Sequence, residues 1–243
     1  GKKTILRFDR TNFGFSTRRG GLFTIQGPTL QKFYSKVFPE GVHVAGNFLY
    51  DKEQYPIDNI IVRDFVLEWH PDATSDDPAM NGITIVNATN VLVDNVHVNM
   101  YGANRAYYVA NLFSGDVTED VTIKNSSCEQ SRTGVFVLHG YGSEEKKNNM
   151  TFGNITISNN YLEVVPMPTV DVKNEHLVLK YLDPYAVGIY FLGSEYTSSY
   201  TENGTDYNFK LGSFLVKDNT IVNADIGIRS WLPPQDPLKA YSH

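Results

Sequence analysis

The sequence is poor in cysteine and has no long apolar run. Among its 243 residues Cys128 is the one cysteine, so no disulfide bond can form within the chain. No stretch approaches the ~20 consecutive apolar residues of a membrane-spanning helix. The chain is also not basic, with 21 Lys and Arg against 27 Asp and Glu and a formal net charge of −6. We therefore predict no membrane insertion and no nucleic-acid partner, because phosphate backbones bind clustered positive charge.

The signatures of cofactor and metal sites are missing as well. The sequence contains no Gly-rich phosphate loop followed by Lys, no Cys/His set with zinc spacing and no Gly-x-Ser-x-Gly motif. It also lacks a column of clustered Asp that would suit calcium. We predict no cofactor and no bound metal. Cys128 falls at an apolar position of the repeat described next, so we interpret it as a buried structural thiol.

A repeated motif organises the chain. Five segments align without gaps, and each begins with a small polar residue, alternates apolar and polar residues, reaches Asp or Asn, and alternates again. Strict alternation is typical of a strand with one buried face. Asp and Asn suit a bend because they tolerate left-handed backbone. The segments are residues 59–68, 90–99, 120–129, 154–163 and 213–222.

A third short strand follows each segment, at residues 82–86, 106–110, 134–138, 188–192 and 227–231. Such a unit can bury its apolar face only by stacking on the next unit. We predict an all-β fold, a right-handed, single-stranded parallel β-helix (a solenoid) with loop insertions. A β-sandwich need not repeat a motif in register, and a leucine-rich repeat would show a Leu pattern that is absent here. Residues 1–243 are predicted to form one domain, a fragment of a longer chain, with regular coils over about 57–231.

The Asn-bearing coils over residues 57–231 resemble the pectin-lyase-like right-handed β-helix superfamily. That superfamily includes pectate lyases, polygalacturonases and the tailspikes and appendages of bacteriophages, and the irregular coils look most like a tailspike. The resemblance implies a homotrimer, an extracellular or virion location, and a cell-surface polysaccharide or teichoic acid as partner. Polygalacturonase motifs are echoed only loosely, by Asp76 and Asp77, by Leu138-His139-Gly140 and by Ile228-Arg229-Ser230. Their order and spacing do not rebuild that site, so its roles are not transferred.

One outward column is predicted on the third strands, because successive strand residues point to opposite faces. It contains Thr84, Tyr108, Phe136, Tyr190 and Arg229. Sugar rings stack on aromatic faces, so we predict that Tyr108, Phe136 and Tyr190, with Arg229, bind a glycan. The alternative is that a loop or a neighbouring subunit covers these rings.

A second outward column contains Glu68, Asn99, Glu129, Glu163 and Val222, and beside it lie Val66, His97, Ser127, Tyr161 and Thr220. Coils stack at ~4.8 Å, so Glu129 and Glu163 would lie about 5 Å apart, as in retaining glycosidases, and Glu68 and Glu129 about 10 Å apart, near the inverting range. We predict Glu68, Glu129 and Glu163 as catalytic residues. His97 and Tyr161 are predicted to contact the substrate. The alternative is an ordinary polar outer face.

The columns predict polysaccharide binding, and the resemblance implies an extracellular β-helix of tailspike type that recognises a host cell-surface glycan. Hydrolysis of glycosidic bonds by the glutamates is one interpretation of the second column. The sequence leaves open whether the chain is an enzyme. One alternative is a secreted microbial polysaccharide lyase or hydrolase. The other is a structural or adhesive β-helix without activity.

Overall fold

The structure is a computed structural model that describes residues 4–7, 21–26, 56–68, 81–100, 105–111, 116–139, 150–165, 185–193, 200–202, 205–207 and 209–231. The strands, in chain order, are β1 Thr4–Arg7, β2 Gly21–Gln26, β3 Ile57–Arg63, β4 Phe65–Glu68, β5 Asn81–Val86, β6 Ala88–Asp94, β7 His97–Asn99, β8 Arg105–Ala110, β9 Val117–Lys124, β10 Ser127–Ser131, β11 Thr133–His139, β12 Met150–Ser158, β13 Tyr161–Val164, β14 Val187–Gly193, β15 Tyr200–Glu202, β16 Thr205–Tyr207, β17 Phe209–Leu211, β18 Phe214–Lys217, β19 Thr220–Val222 and β20 Ile226–Trp231. Within these ranges there is no helix, and hence none long and apolar enough to cross a membrane.

Eighteen of these strands form three parallel sheets of six. Sheet I has the order β1-β4-β7-β10-β13-β19, and sheet II has the order β2-β5-β8-β11-β14-β20. Sheet III has the order β17-β12-β9-β6-β3, with β18 also paired to β12. Each turn of the chain gives one strand to each sheet, from coil 1 (β3, β4, β5) through coil 5 (β18, β19, β20). This all-β arrangement is consistent with a parallel β-helix. In the described part of the chain, β15 and β16 alone pair antiparallel.

The strand pairing confirms the predicted register of the repeats. Inward files, each running from coil 1 to coil 5, are Val62-Val93-Ile123-Ile157-Val216 in sheet III, Leu67-Val98-Cys128-Leu162-Ile221 in sheet I and Ile83-Tyr107-Val135-Ile189-Ile228 in sheet II. Apart from Ile228, these files pack against one another as one hydrophobic core. Cys128 is fully buried in it, and burial raises the pKa of its thiol to about 12, so it is the predicted structural thiol.

The Asp/Asn column occupies the bend between sheets III and I, as predicted. All five residues have left-handed backbone, at Asp64 (φ 62°), Asn95 (55°), Asn125 (51°), Asn159 (55°) and Asp218 (55°). Their side chains also link successive coils: Asn95 Nδ2 donates to Asp64 Oδ1 at 2.7 Å, and Asn159 Nδ2 donates to Asn125 Oδ1 at 2.6 Å. Asn and Asp therefore have two roles here, because they tolerate a positive φ and their side chains hydrogen-bond from one coil to the next.

A second polar ladder, absent from the predictions, lies inside the same corner. The N–H of Val96 donates to Ser126 Oγ at 3.1 Å, and the N–H of Ser126 donates to Asn160 Oδ1 at 2.9 Å. The N–H of Asn160 donates in turn to Asn219 Oδ1 at 3.1 Å. Ser126 and Asn160 are buried, so these bonds satisfy backbone groups that would be costly to leave unpaired.

Successive coils leave no room for a Cβ at most of the glycines in a column on sheet II. A Cβ on Gly82 would lie 2.5 Å from the carbonyl oxygen of Ala106. One on Gly188 would lie 2.6 Å from the carbonyl oxygen of Gly227 and 2.5 Å from Ile221 Cγ2. Gly82, Gly134 and Gly188 lack a side chain because the next coil and the inward side chains that follow the bend occupy the space.

Strand pairing also includes β1 and β2, which precede residue 57. β1 pairs with β4 in register from Thr4 to Arg7. β2 likewise pairs with β5, aligning Phe23 with Ile83 and Ile25 with Ile85. The described strands thus include part of a coil that precedes coil 1.

Candidate functional site

The outer surface of sheet I carries two files of outward side chains, which we call the acid face. One file is Glu68, Asn99, Glu129, Glu163 and Val222, and the other is Val66, His97, Ser127, Tyr161 and Thr220. They alternate with the inward file that contains Leu67 and Cys128. Sheet I therefore has one buried face and one partly open face, as the alternation predicted.

The strand pairing along the acidic file is irregular between Glu129 and Glu163. Glu68 pairs with Asn99, and Asn99 pairs with Glu129. Between β10 and β13 the register then shifts, because Cys128 pairs with Leu162 whereas Ser131 pairs with Val164. Two residues of β10 thus lie opposite one residue of β13, which is a β-bulge.

The bulge consists of Glu129 and Gln130 opposite Glu163, and Gln130 has a left-handed φ of 54°. Bulges re-aim side chains and are frequent beside active sites. Glu129 and Glu163 are part-buried neighbours on adjacent coils. Glu163 Oε1 accepts a long hydrogen bond, 3.4 Å, from Asn223 Nδ2. Glu68 lies two coils from Glu129, with Asn99 between them.

The second file brings His97, Ser127 and Tyr161 together. His97 Nδ1 lies 2.8 Å from Ser127 Oγ, within hydrogen-bond distance, and both residues are part-buried. Tyr161 follows Ser127 in register on the next coil, and 44% of its surface is exposed. Ser127 was not among the predicted site residues, although it shares their outward column. This face therefore offers an imidazole, a hydroxyl and an open aromatic ring beside the carboxyl groups.

The column of rings lies on sheet II, not on the acid face. Its predicted register is confirmed, because Tyr108 pairs with Phe136 and Phe136 pairs with Tyr190. Its predicted exposure is wrong: Tyr108, Phe136 and Tyr190 are 3%, 5% and 6% exposed. Arg229 pairs with Tyr190 and is part-buried, its guanidinium carbon 5.0 Å from that ring's centroid.

The rings are buried because the outer surface of sheet II forms a second hydrophobic cluster. The centroids of Tyr108 and Phe136 lie 5.7 Å apart, those of Phe136 and Tyr190 lie 5.0 Å apart, and the Arg105 guanidinium sits 3.9 Å from the Phe136 centroid. Val86 and Leu138 belong to the same cluster. These rings consequently offer no open surface for stacking a sugar.

The sequence held a signal for this burial. Sheet I strands alternate apolar with polar residues, whereas residues 134–138 of sheet II read Gly-Val-Phe-Val-Leu. Continuous apolar runs are typical of parallel strands covered on both faces. The same holds for residues 188–192, Gly-Ile-Tyr-Phe-Leu.

Other candidates fall outside the described residues or show no cluster. Asp76 and Asp77 lie outside the described residues, as does the side chain of His139. Among the residues that the structure does describe, no group of three or more His, Cys, Asp or Glu side chains could hold a metal ion.

The strand order defines the class of this protein as an all-β chain of stacked parallel coils, consistent with a parallel β-helix. No protein-family model, curated protein or solved structure matches the chain.

Proposed function

We propose that this chain is a right-handed β-helix of tailspike type that binds a cell-surface polysaccharide along the acid face and hydrolyses it there. The observation that carries the proposal is the grouping of Glu129, Glu163, His97 and Tyr161 on one outer surface. Right-handedness is expected because parallel strands are almost always joined by right-handed connections. A virion or other extracellular location and a homotrimeric state belong to the same proposal.

The acid face suits an extended ligand. Five coils at ~4.8 Å span roughly 20 Å, which is room for several sugar units in a row. Tyr161 supplies the open ring on which a sugar stacks, in place of the buried rings of sheet II. The His97–Ser127 pair supplies polar atoms for sugar hydroxyl groups.

The charge of the face favours a neutral polysaccharide over teichoic acid. Across coils 1 to 5 its two files contain Glu68, Glu129 and Glu163 and no Lys or Arg. Phosphate groups of a teichoic acid would meet carboxylate groups of the same sign, and like-charge juxtaposition costs several kcal/mol. We therefore assign a neutral glycan to this site.

Cleavage would use Glu129 and Glu163 as the carboxyl pair. One protonates the oxygen of the leaving sugar while the other attacks the anomeric carbon, giving a glycosyl-enzyme intermediate. Water then attacks that carbon and breaks its bond to the second carboxyl group, which leaves as a carboxylate, while the first carboxylate takes up the proton of the water. Location on adjacent coils suits this retaining mechanism, which needs carboxyl groups about 5–5.5 Å apart.

Binding can be tested with two exposed tyrosines that differ in location. Tyr161 is 44% exposed on the acid face, whereas Tyr185 is 48% exposed immediately before the sheet II strand β14. On an array of neutral bacterial glycans, Tyr161→Ala should weaken binding about tenfold, which corresponds to about 1.4 kcal/mol of lost stacking. Tyr185→Ala should bind as the unaltered protein does.

Equal losses in the two variants would show that the glycan does not lie on the acid face. If no neutral glycan binds the unaltered protein, the proposed function is wrong. A melting temperature measured on each variant separates lost binding from lost folding.

A further inference from the structure

His97 and Ser127 form a base–hydroxyl pair on the acid face. His97 Nδ1 lies 2.8 Å from Ser127 Oγ, and Ser127 is the residue of the next coil that pairs with His97 in register. In the tautomer that carries its ring proton on Nε2, His97 accepts the hydroxyl hydrogen at Nδ1. A base within about 2.6–3.2 Å of a serine hydroxyl is the arrangement that activates the serine as a nucleophile.

Nearby buried hydroxyl groups have structural partners instead. Ser126 Oγ donates to the carbonyl oxygen of Lys124 at 2.8 Å, and Thr118 Oγ1 donates to that of Ala110 at 3.1 Å. Both residues are buried, so these bonds satisfy polar groups inside the fold. Ser127 differs because its hydroxyl contacts an imidazole and because it lies, part-buried, on the outer surface of sheet I. A substrate on the acid face therefore meets this hydroxyl.

The backbone that carries Ser127 is held against coil 2. The N–H of Ser127 donates to the carbonyl oxygen of Val96 at 2.9 Å. The hydroxyl of Tyr107, which is fully buried, donates to the carbonyl oxygen of Ser127 at 2.9 Å and lies 3.0 Å from that of Val96. Reactive groups are effective when the elements that carry them are rigid. These bonds fix the position of Ser127 relative to the coil that carries His97.

The groups around the pair favour an uncharged ester as substrate. Tyr161 pairs with Ser127 on the side away from His97 and is 44% exposed, and a phenol O–H is among the donors that stabilise an oxyanion. Glu129 lies two residues beyond Ser127 on the same face of β10. Its carboxylate would repel a phosphate or sulfate ester, whereas an acetyl ester carries no charge.

We propose that Ser127 and His97 form a second reactive centre on the acid face, an esterase that removes acyl groups such as acetyl from the hydroxyl groups of a glycan. Ser127 Oγ attacks the ester carbonyl carbon while His97 Nδ1 takes the hydroxyl proton. The bond from that carbon to the sugar oxygen breaks, and His97 gives the proton to the sugar oxygen. The acyl group is then bound to Ser127.

Water completes the reaction. It attacks the carbonyl carbon of the acyl-serine and gives a proton to His97, and the carboxylic acid leaves as its bond to Ser127 Oγ breaks. His97 returns the proton to Ser127 Oγ. The glycan as substrate rests on the proposed function, but the reactivity of the pair does not, because small esters are enough to measure it.

Covalent labelling of the complete chain with phenylmethylsulfonyl fluoride tests the nucleophile. Ser127 Oγ should displace fluoride and form a sulfonyl ester, which mass spectrometry of the peptides locates. Ser213 is the control within the same chain, because it is more exposed but its Oγ donates to Asn154 Oδ1 at 3.3 Å. Ser127 should be labelled at least about tenfold faster than Ser213. His97→Asn keeps a hydrogen-bond acceptor but no base, so it should slow labelling of Ser127 about 10²-fold.

Hydrolysis of p-nitrophenyl acetate gives the second measurement. The unaltered protein should release p-nitrophenol, and Ser127→Ala should lower kcat/KM about 10²-fold, as expected for loss of the nucleophile in an acyl transfer. Thr220→Ala is the matched control, because Thr220 lies in the same outward file on coil 5 and is exposed. It should leave hydrolysis unchanged. A melting temperature measured on each variant separates lost reactivity from lost folding.

Equal labelling of Ser127 and Ser213 would overturn the proposal. So would an unaltered protein that does not hydrolyse p-nitrophenyl acetate, or hydrolysis that Ser127→Ala leaves unchanged. Neither measurement uses a glycan, so these failures leave glycan binding and cleavage untouched, and a protein that binds no glycan still shows whether Ser127 is reactive.

Discussion

Glu163→Gln should lower the rate of glycan cleavage about 10³-fold while glycan binding persists, because a carboxyl group that transfers a proton or attacks the sugar contributes about 10²–10⁴-fold or more. Glu129→Gln should have an effect of the same size, since the two groups act in one reaction. Gln keeps the size and shape of Glu and one of its two oxygen acceptors, but it neither attacks carbon nor donates an acidic proton. A reducing-sugar assay on the glycan identified by the array measures the rate.

Glu119→Gln provides the control. Glu119 is also part-buried, but it belongs to β9 of sheet III. Its replacement should leave cleavage unchanged. If Glu129→Gln and Glu163→Gln both cleave normally, the predicted site is wrong. If the unaltered protein binds the glycan and releases no reducing sugar, the adhesive alternative holds instead.

The second large effect concerns stacking of the coils. Gly188→Ala should lower the free energy of unfolding by about 2–3 kcal/mol, because overpacking of this kind typically costs 1–3 kcal/mol. Its Cβ would be pressed against the carbonyl oxygen of Gly227 at 2.6 Å and Ile221 Cγ2 at 2.5 Å, and the backbone oxygen cannot rotate away. Urea unfolding followed by circular dichroism gives the free energy.

Gly227→Ala is the same substitution in the same file one coil later. Its Cβ enters open space, so its unfolding free energy should stay within about 0.5 kcal/mol of the unaltered protein. Similar losses in the two variants would show that the loss does not come from the contact between coils, since only Gly188 makes that contact. Equal stability of all three proteins would contradict the close stacking.

Much of the fold could be predicted from the sequence because the repeat has a physical cause. Alternation of apolar and polar residues indicates each strand of sheets I and III. The bend between these strands needs left-handed backbone, so Asp or Asn occupies it, as at Asn125 and Asn159. Aligning those positions is enough to align the outward and inward files of sheets I and III up to the bulge, since the side-chain period of a strand is two. The coils therefore stack as the sequence predicts.

The alternation of apolar and polar residues does not predict which of the outward files are exposed to solvent. The period of two tells which side of the sheet Phe136 occupies, but not whether something covers that side. Only the valine and leucine beside it indicate that both faces of sheet II are buried. The prediction equates an outward residue with an exposed one, which is wrong for Tyr108, Phe136 and Tyr190 and correct for Tyr161.

The sequence did not predict two other features, the β-bulge on the acid face and the polar ladder inside the corner. An alignment without gaps cannot show the bulge at Glu129 and Gln130, since Gln is not a residue that marks a left-handed position. The internal ladder was not predicted because no residue type repeats at its position, which holds Val96 in one coil, Ser126 in the next and Asn160 after that. A polar residue inside the core becomes recognisable only when its partner on the next coil is known.

The register on the acid face can be measured with paired cysteines in a Cys128→Ala background. Ser127→Cys with Tyr161→Cys places the two sulfurs on adjacent coils, where paired Cα atoms lie ~4.8 Å apart, inside the ~4.4–6.8 Å range of disulfides. His97→Cys with Tyr161→Cys places them two coils apart, at about 10 Å, beyond that range. Mass spectrometry of the oxidised monomers should show a disulfide bond in the first pair and free thiols in the second. A bond in the second pair, or none in the first, would contradict the stacked files on which the fold and the candidate site both depend.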